Sequence, residues 1–259
     1  MCFTSTSRPP IAPIAGGALD SRSLSLEASD GNRLDVFAAR AAAPTGAGIV
    51  IVPDVRGLHH FFEELALRFA ESGVDAVALD LFGRTAAGES RGDDFEYMPH
   101  VMRTTYAGLT ADTRAAAGYL RSAEGGAPRS VFVVGFCFGG RLAFDTASLG
   151  LGLAGVIGFY GNPVGPGRSD IPAPMDLVDA IECPVLGLFG GTDQSIPPEV
   201  LESFDTALGR AGVDHRIVSY PDAPHSFFDR SYEQHAAASA DAWQQVLGFI
   251  HANTAPATA

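Results

Sequence analysis

The chain has few of the features that mark several common classes of protein. Its 17 basic residues are outnumbered by 30 acidic ones, which gives a net charge of −13 and makes a nucleic-acid partner unexpected. Its apolar runs are too short to cross a bilayer, so we expect no membrane partner. It has only three cysteines and no C-x-x-C pair, which favours a reducing, cytoplasmic setting.

The length and composition instead fit one soluble domain. Hydrophobic residues make up 46% of the 259 positions, enough for a sizeable core. Residues 1–22 are rich in proline, alanine, glycine and serine, and they lack the basic start of a signal peptide. We therefore predict a flexible or surface-hugging arm over residues 1–22 and a single α/β domain over residues 23–259.

Apolar strand-like runs alternate with helix-like segments along the chain, an order typical of βαβ units. This alternation predicts a mostly parallel, doubly wound sheet with helices on both faces. The predicted strands are Leu24–Glu27, Leu34–Ala39, Gly48–Val52, Val74–Leu79, Val131–Val134, Gly155–Phe159, Cys183–Phe189 and His215–Tyr220. The predicted helices are Phe61–Ser72, Arg141–Ala147, Pro198–Ala211 and Tyr232–His251.

The most informative motif is Gly-Phe-Cys-Phe-Gly-Gly at residues 135–140, between a predicted strand and a predicted helix. This order is typical of a nucleophile elbow, whose strained turn needs glycine beside the nucleophile. Cys137 stands at the tip, and a helix N-terminus favours the thiolate that a nucleophile requires. A phosphate-binding loop is disfavoured because neither G-x-x-x-x-G-K-[ST] nor G-x-G-x-x-G is present.

Two further residues complete a candidate triad. Asp193 ends Gly-Gly-Thr-Asp after one predicted strand, and His225 ends Pro-Asp-Ala-Pro-His after the next. Because active-site residues of open α/β sheets collect at the carboxyl ends of the strands, we expect both near Cys137. The order nucleophile, acid and histidine is that of α/β-hydrolases. His225 would accept the thiol proton, and Asp193 would orient the imidazole.

These motifs, together with Pro-His-Ser-Phe-Phe-Asp at residues 224–229, resemble the dienelactone hydrolase family over nearly the whole chain. The resemblance implies an α/β-hydrolase fold and a carboxylic ester hydrolase, carboxymethylenebutenolidase-like, that acts on lactones and related esters through a thioester. It implies a Cys137, Asp193 and His225 triad. The family's glutamate beside the oxyanion loop falls at Asp54, a shorter carboxylate, and its substrate-facing arginine falls at Arg84. Where the family has a second arginine, four residues after the histidine, this chain has Asp229.

Other residues are expected to line the substrate site. Arg56 lies in the predicted oxyanion loop and is a candidate partner for an anionic substrate, as is Arg84. The elbow geometry predicts that the backbone N–H groups of Phe138 and Val55 form the oxyanion hole. Aromatic residues are expected in the pocket walls, which we assign to the segments Thr85–Pro99 and Gly161–Asp176. These aromatic residues are Phe136, Phe138, Tyr160, Phe227 and Phe228.

Alternatives to a lactone hydrolase remain open at this point. The chain could be a general small-ester carboxylesterase or a non-catalytic ligand-binding protein of the same fold. We predict no cofactor and no metal, since adjacent His59 and His60 lack the i,i+4 spacing of a helical metal site. The sequence gives no indication of oligomeric state.

Overall fold

The structure is a computed structural model that describes residues 7–92 and 94–257. The first six residues of the predicted arm, with Cys2, and Asp93 of the predicted pocket wall lie outside the described residues. The strands are β1 Ala18–Glu27, β2 Arg33–Ala41, β3 Ala47–Val52, β4 Val74–Leu79, β5 Ser130–Phe136, β6 Gly155–Phe159, β7 Val185–Gly190 and β8 His215–Tyr220. The helices are α1 His60–Glu71, α2 Tyr97–Val101, α3 Tyr106–Arg121, α4 Phe138–Thr146, α5 Pro198–Arg210 and α6 Ala236–Asn253, with a 3-10 helix at Pro174–Ala180.

The eight strands form one sheet in the order β1-β2-β4-β3-β5-β6-β7-β8. The β1–β2 and β2–β4 pairs are antiparallel, whereas the neighbouring pairs from β4 through β3 to β8 are parallel. Every residue of β3, β4, β5 and β7 is buried, as expected for strands covered on both faces by helices. The predicted doubly wound, mostly parallel sheet is confirmed.

Three of the strands have the same bounds in the structure as in the prediction from the sequence. The predicted strands Val74–Leu79, Gly155–Phe159 and His215–Tyr220 match β4, β6 and β8 residue for residue. Such runs are rich in β-branched and aromatic residues, which fit the pleated surface of a sheet. The carboxyl ends of β5, β7 and β8 therefore lie where the sequence places the three candidate catalytic residues.

The first strand differs from its prediction. β1 begins at Ala18, so the predicted boundary at residue 22 falls inside a strand. At the edge of the sheet, residues 19–23 are all exposed, and half-buried and exposed residues alternate only from Leu24 onward. Asp20, Arg22 and several serines hide the apolar signal of the first half. Most of the described part of the arm is exposed or half-buried, although Ser7 is buried, and the Ile14 backbone N–H donates to Glu71 of α1 at 3.0 Å.

The helix α3 was not predicted. It begins after Thr105, whose hydroxyl accepts from the Gly108 N–H at 3.1 Å. Its buried face, which includes Leu109, Ala116 and Leu120, packs on β3 and β4. The segment Thr85–Pro99, predicted as a loop, runs into α2 at its end. In the residues that the structure describes, no helix has the length and apolar character to cross a membrane.

Candidate active site

The turn between β5 and α4 has the backbone of a nucleophile elbow. Cys137 adopts φ 54° and ψ −111°, a strained conformation for a residue with a side chain. The residues two positions before and two positions after Cys137 must be glycine, because a Cβ on Gly135 would lie 1.9 Å from the Gly139 oxygen and one on Gly139 would lie 2.1 Å from the Pro53 oxygen. A backbone hydrogen bond of 2.9 Å from Cys137 to Phe159 of β6 secures the turn.

Asp193 and His225 are brought together from the loops that follow β7 and β8. The Nδ1 atom of His225 lies 2.5 Å from Oδ2 of Asp193. The other carboxylate oxygen accepts from the Ser195 N–H at 2.9 Å and from its hydroxyl at 2.6 Å. The Thr192 N–H donates to the Ala223 carbonyl at 3.0 Å, which fixes the two loops against each other.

These contacts shift the pKa values of both groups. Burial raises the pKa of Asp193, but hydrogen bonds from His225 and Ser195 outweigh burial and hold that pKa below its usual range. Burial lowers the pKa of His225, but its hydrogen bonds with Asp193 and Cys137, and the attraction of both charges, raise it to about 10. His225 thus contacts the thiol on one side and the carboxylate on the other.

A cavity of about 290 Å³ opens over Cys137. Val55 and Phe138, the residues whose N–H groups were expected to form the oxyanion hole, both line it. Its other lining residues are Tyr97, Cys137, Arg141, Tyr160, Asn162, Val164, Pro166, Gly167, Arg168, Ser195 and His225. The predicted wall Gly161–Asp176 contributes several of these residues, and α2 contributes Tyr97.

The aromatic residues expected around the substrate divide into two groups. Tyr160 lines the cavity with φ 39°, and its ring centroid lies 4.9 Å from that of His225. Phe136 and Phe227 instead belong to the core, where they are 2% and 0% exposed. Phe136 stacks on Phe159 at 4.7 Å, and Phe227 packs beside Tyr220 at 5.0 Å. Phenylalanines next to an elbow face the sheet as readily as the pocket, and the sequence does not distinguish the two.

The structure places Arg84 outside the cavity. Its guanidinium donates to Asp112 of α3 at 2.8 and 2.9 Å and to Asp30 at 2.6 and 3.1 Å. The prediction that it faces the substrate followed its sequence position after β4, but α3, which the sequence analysis missed, supplies a buried carboxylate within its reach.

Arg56 and Asp54 also have partners other than a substrate. Arg56 is 2% exposed and forms a bidentate ion pair with Asp54, at 2.9 to 3.1 Å from Nε and 2.8 Å from Nη2. The same guanidinium pairs with Asp229. Asp54 therefore faces a guanidinium, and Arg56 is buried and is not among the residues that line the cavity.

The arginines that line the cavity are Arg141 and Arg168, which the sequence analysis did not single out. Arg141 lies on α4, four residues after Cys137, and donates to four backbone carbonyls of the wall segment, those of Asn162, Val164, Gly165 and Pro172. Its position one helical turn after the elbow was the available signal. Among the residues that the structure describes, no aspartate or glutamate lines the cavity.

Metal ligands do not cluster in the part of the chain that the structure describes. His59 caps α1, where its Nδ1 accepts from the Phe61 N–H at 3.2 Å. Its ring lies 4.1 Å from that of His60, and the pair is explained by this local structure.

Comparisons with known proteins find relatives over most of the chain. The sequence profile of the dienelactone hydrolase family matches residues 34–254. A protein of Salmonella typhimurium, provisionally named a carboxymethylenebutenolidase, is 32% identical over 228 residues, which are 85% of this chain and 83% of the relative. A Yersinia pestis protein with the same provisional name is 30% identical over 226 residues, 86% of this chain and 85% of the relative.

Solved structures show the same architecture. A crystal structure from Klebsiella pneumoniae, provisionally named a dienelactone hydrolase, has a TM-score of 0.79 at 27% identity and covers 90% of this chain and 98% of its own. A dienelactone hydrolase-like promiscuous phosphotriesterase from metagenomic libraries has a TM-score of 0.69 at 23% identity, covering 91% and 99%. That second likeness shows the fold alone. Together they confirm the predicted α/β-hydrolase fold.

Proposed function

Because the chain belongs to the dienelactone hydrolase family and is a carboxylic ester hydrolase of the carboxymethylenebutenolidase type, we propose that Cys137, Asp193 and His225 are its catalytic triad. The observation that carries this proposal is the position of His225. It contacts the Cys137 thiol and lies 2.5 Å from Asp193, at the floor of a cavity. An imidazole between a nucleophile and a carboxylate is the arrangement that acyl transfer requires.

In the acylation step, His225, whose raised pKa keeps the imidazole protonated, holds the proton of the Cys137 thiol, and the deprotonated Sγ attacks the carbonyl carbon of the ester or lactone. The negative charge moves to the carbonyl oxygen, where the N–H groups of Phe138 and Val55 stabilise it. The intermediate then collapses, the C–O bond breaks, and the leaving alkoxide takes the proton from His225. The product is a thioester on Cys137; from a lactone, the new alcohol stays attached to the acyl group.

In the deacylation step, His225 takes a proton from water, and the hydroxide attacks the thioester carbon. Cleavage of the C–S bond releases the carboxylic acid and regenerates the free sulfur of Cys137. The proton taken from water stays on the Cys137–His225 pair, as before the reaction. Asp193 stays ionised throughout, because its lowered pKa makes it a stable counter-charge for the imidazolium.

The cavity size and lining support a small ester or lactone as substrate. About 290 Å³ is at the lower end of small-molecule sites, and Tyr160 and Phe138 offer apolar walls. A lactone hydrolase would prefer a lactone, whereas a general carboxylesterase would prefer an open-chain ester. Since the mechanism needs a reduced thiol, we also propose a reducing compartment, the cytoplasm.

The test compares wild type, Cys137→Ala and Cys137→Ser on a dienelactone and on p-nitrophenyl acetate. We expect turnover by the wild type and a loss of at least about 10³-fold in Cys137→Ala on both substrates. A wild type that prefers the open-chain ester would favour the general carboxylesterase. A wild type that hydrolyses neither compound, and whose Cys137 does not react with iodoacetamide, would favour the ligand-binding alternative.

A further inference from the structure

Two loops of the candidate site are joined by buried charges. Arg56 directly follows Val55 in the loop after β3, and Asp229 lies four residues after His225 in the loop after β8. Their side chains form an ion pair and are 2% and 3% exposed. Asp54 shares the same guanidinium through its bidentate contact. We call Asp54, Arg56 and Asp229 the buried brace.

The brace is costly as a stabilising device. Taking three charges out of water costs several kcal/mol per ion, and apolar side chains of similar volume often serve stability as well or better. The guanidinium is further enclosed by the rings of Phe61 and Phe62, each 5.1 Å from its central carbon. What the brace supplies is a fixed geometry, since a planar fork accepts carboxylates only in defined directions.

Apart from the buried brace, the loop after β8 and the loop after β3 are held by different contacts. His225 has its own tether to Asp193 at 2.5 Å. Val55 instead precedes Arg56, whose backbone N–H and side chain both donate to Asp54. The link from Arg56 to Asp229 thus joins the Val55 loop to the loop of His225.

We propose that Arg56 and Asp229 are positioning residues that hold the Val55 N–H in register with Phe138 as an oxyanion donor. This inference rests on the proposed function. Neither residue lines the cavity, so both act through the loop backbone. Acylation and deacylation both pass through an oxyanion, so a displaced donor slows turnover whichever step limits it.

The N-terminal segment adds a contact to the brace. Ser7 is buried, and its hydroxyl donates to the Asp229 carboxylate. The segment before β1 therefore contacts the buried brace through Ser7. Loss of this hydrogen bond should have the same effect as loss of the ion pair, at smaller amplitude.

The experiment is Asp229→Asn, with Asp112→Asn as the matched control. Asp112 is also a buried carboxylate paired with an arginine, Arg84, but it is not among the residues that line the cavity. For p-nitrophenyl acetate we expect Asp229→Asn to lower kcat by about 10- to 100-fold with KM within about threefold. The rate of Cys137 alkylation by iodoacetamide, which forms no oxyanion, should stay within about threefold of wild type. Asp112→Asn should lower Tm but keep kcat.

Wild-type kcat in Asp229→Asn would overturn the inference, and so would a parallel loss of kcat and alkylation, which would place the effect on the triad. An equal loss of kcat in Asp112→Asn would show a general effect of destabilisation and would also overturn it. If Asp229→Asn fails to fold, Ser7→Ala and Arg56→Lys give the same readouts, with kcat lowered and alkylation retained. Failure of the proposed function would look different, because Cys137→Ala would then keep its turnover.

Discussion

Oδ2 of Asp193 lies 2.5 Å from Nδ1 of His225, although the two residues are 32 positions apart in the sequence. The strand order explains this contact. β7 and β8 are parallel neighbours, with Gly190 opposite Tyr220, so the loops at their carboxyl ends leave the sheet side by side. The contact fixes the ring orientation, and it leaves the other ring nitrogen for the thiol.

The first prediction concerns this contact. Asp193→Asn keeps the size of the side chain but removes the charge, and an amide stabilises the wrong imidazole tautomer. We expect kcat to fall by roughly 10³- to 10⁴-fold with little change in Tm, measured by ester hydrolysis and thermal unfolding. Ser195→Ala, which removes one hydrogen bond to the same carboxylate, should lower kcat by about threefold to tenfold. Equal activities of Asp193→Asn and wild type would exclude the proposed role.

The second prediction concerns Arg84. Because its guanidinium pairs with Asp112 and Asp30, Arg84→Met should leave KM unchanged for both anionic and neutral esters. The free energy of unfolding should fall by about 1–2 kcal/mol, since buried Asp112 loses its cationic partner while the arginine itself is partly screened by solvent. Steady-state kinetics and urea unfolding measure the two effects. A selective rise in KM for the anionic ester would contradict this account and restore Arg84 to the substrate site.

The third prediction concerns the wall segment that Arg141 holds. Arg141→Met removes the donors to the carbonyls of Asn162, Val164, Gly165 and Pro172. We expect KM to rise about tenfold and limited proteolysis to cut the segment 162–172 faster, because its backbone loses its donors.

The control for this prediction is Arg121→Met. Arg121 also donates to loop carbonyls, those of Leu151 and Gly152, but it is not among the residues that line the cavity. The KM of Arg121→Met should equal that of wild type. The account fails if both arginine variants alter KM alike.

The fourth prediction uses the buried carboxyl of Asp145 in α4. It is 0% exposed, and among the described residues neither of its oxygens has a hydrogen-bond partner. Burial raises its pKa to about 8, although the charge of Arg141 opposes this. An unfolded chain releases the proton near pH 3.9. Between about pH 4 and pH 8 the folded state therefore binds more protons than the unfolded state, and stability falls as pH rises.

Asp145→Asn resembles the protonated side chain and lacks this titration. Its free energy of unfolding should exceed that of wild type by an amount that grows with pH, at most about 1.4 kcal/mol per pH unit, and levels off above about pH 8. Urea unfolding at pH 5 and pH 8 measures the difference. Parallel changes in the two proteins would mean that Asp145 is already ionised in the fold at neutral pH.

The sequence predicts those features that depend on neighbouring residues. The elbow at Cys137 can be read directly, because its strained turn requires glycine at fixed positions. Asp193 and His225 follow from the rule that parallel strands end at one edge of a sheet. The family and the fold, both predicted from these motifs, are confirmed by the comparisons with known proteins. The roles of the three residues stay a proposal.

The arginines could not be predicted in the same way. A long guanidinium side chain reaches partners far away in sequence, so its role depends on tertiary structure. Arg84 was expected to face substrate, yet its partner Asp112 lies on α3, 28 residues later. Arg56 meets Asp229 across 173 residues. The cavity arginine Arg141 gave only a weak signal, its place one turn after the elbow, because its partners are backbone carbonyls that carry no mark in the sequence.

The central claim is that Cys137 forms a thioester with the acyl group of the substrate. Rapid acid quench during turnover of p-nitrophenyl acetate, followed by intact-protein and peptide mass spectrometry, tests it most directly. The account predicts one added acetyl group, located on Cys137 in the wild type and absent from Cys137→Ala. Turnover that continues in Cys137→Ala, or an acetyl group on any other residue during turnover, would contradict it.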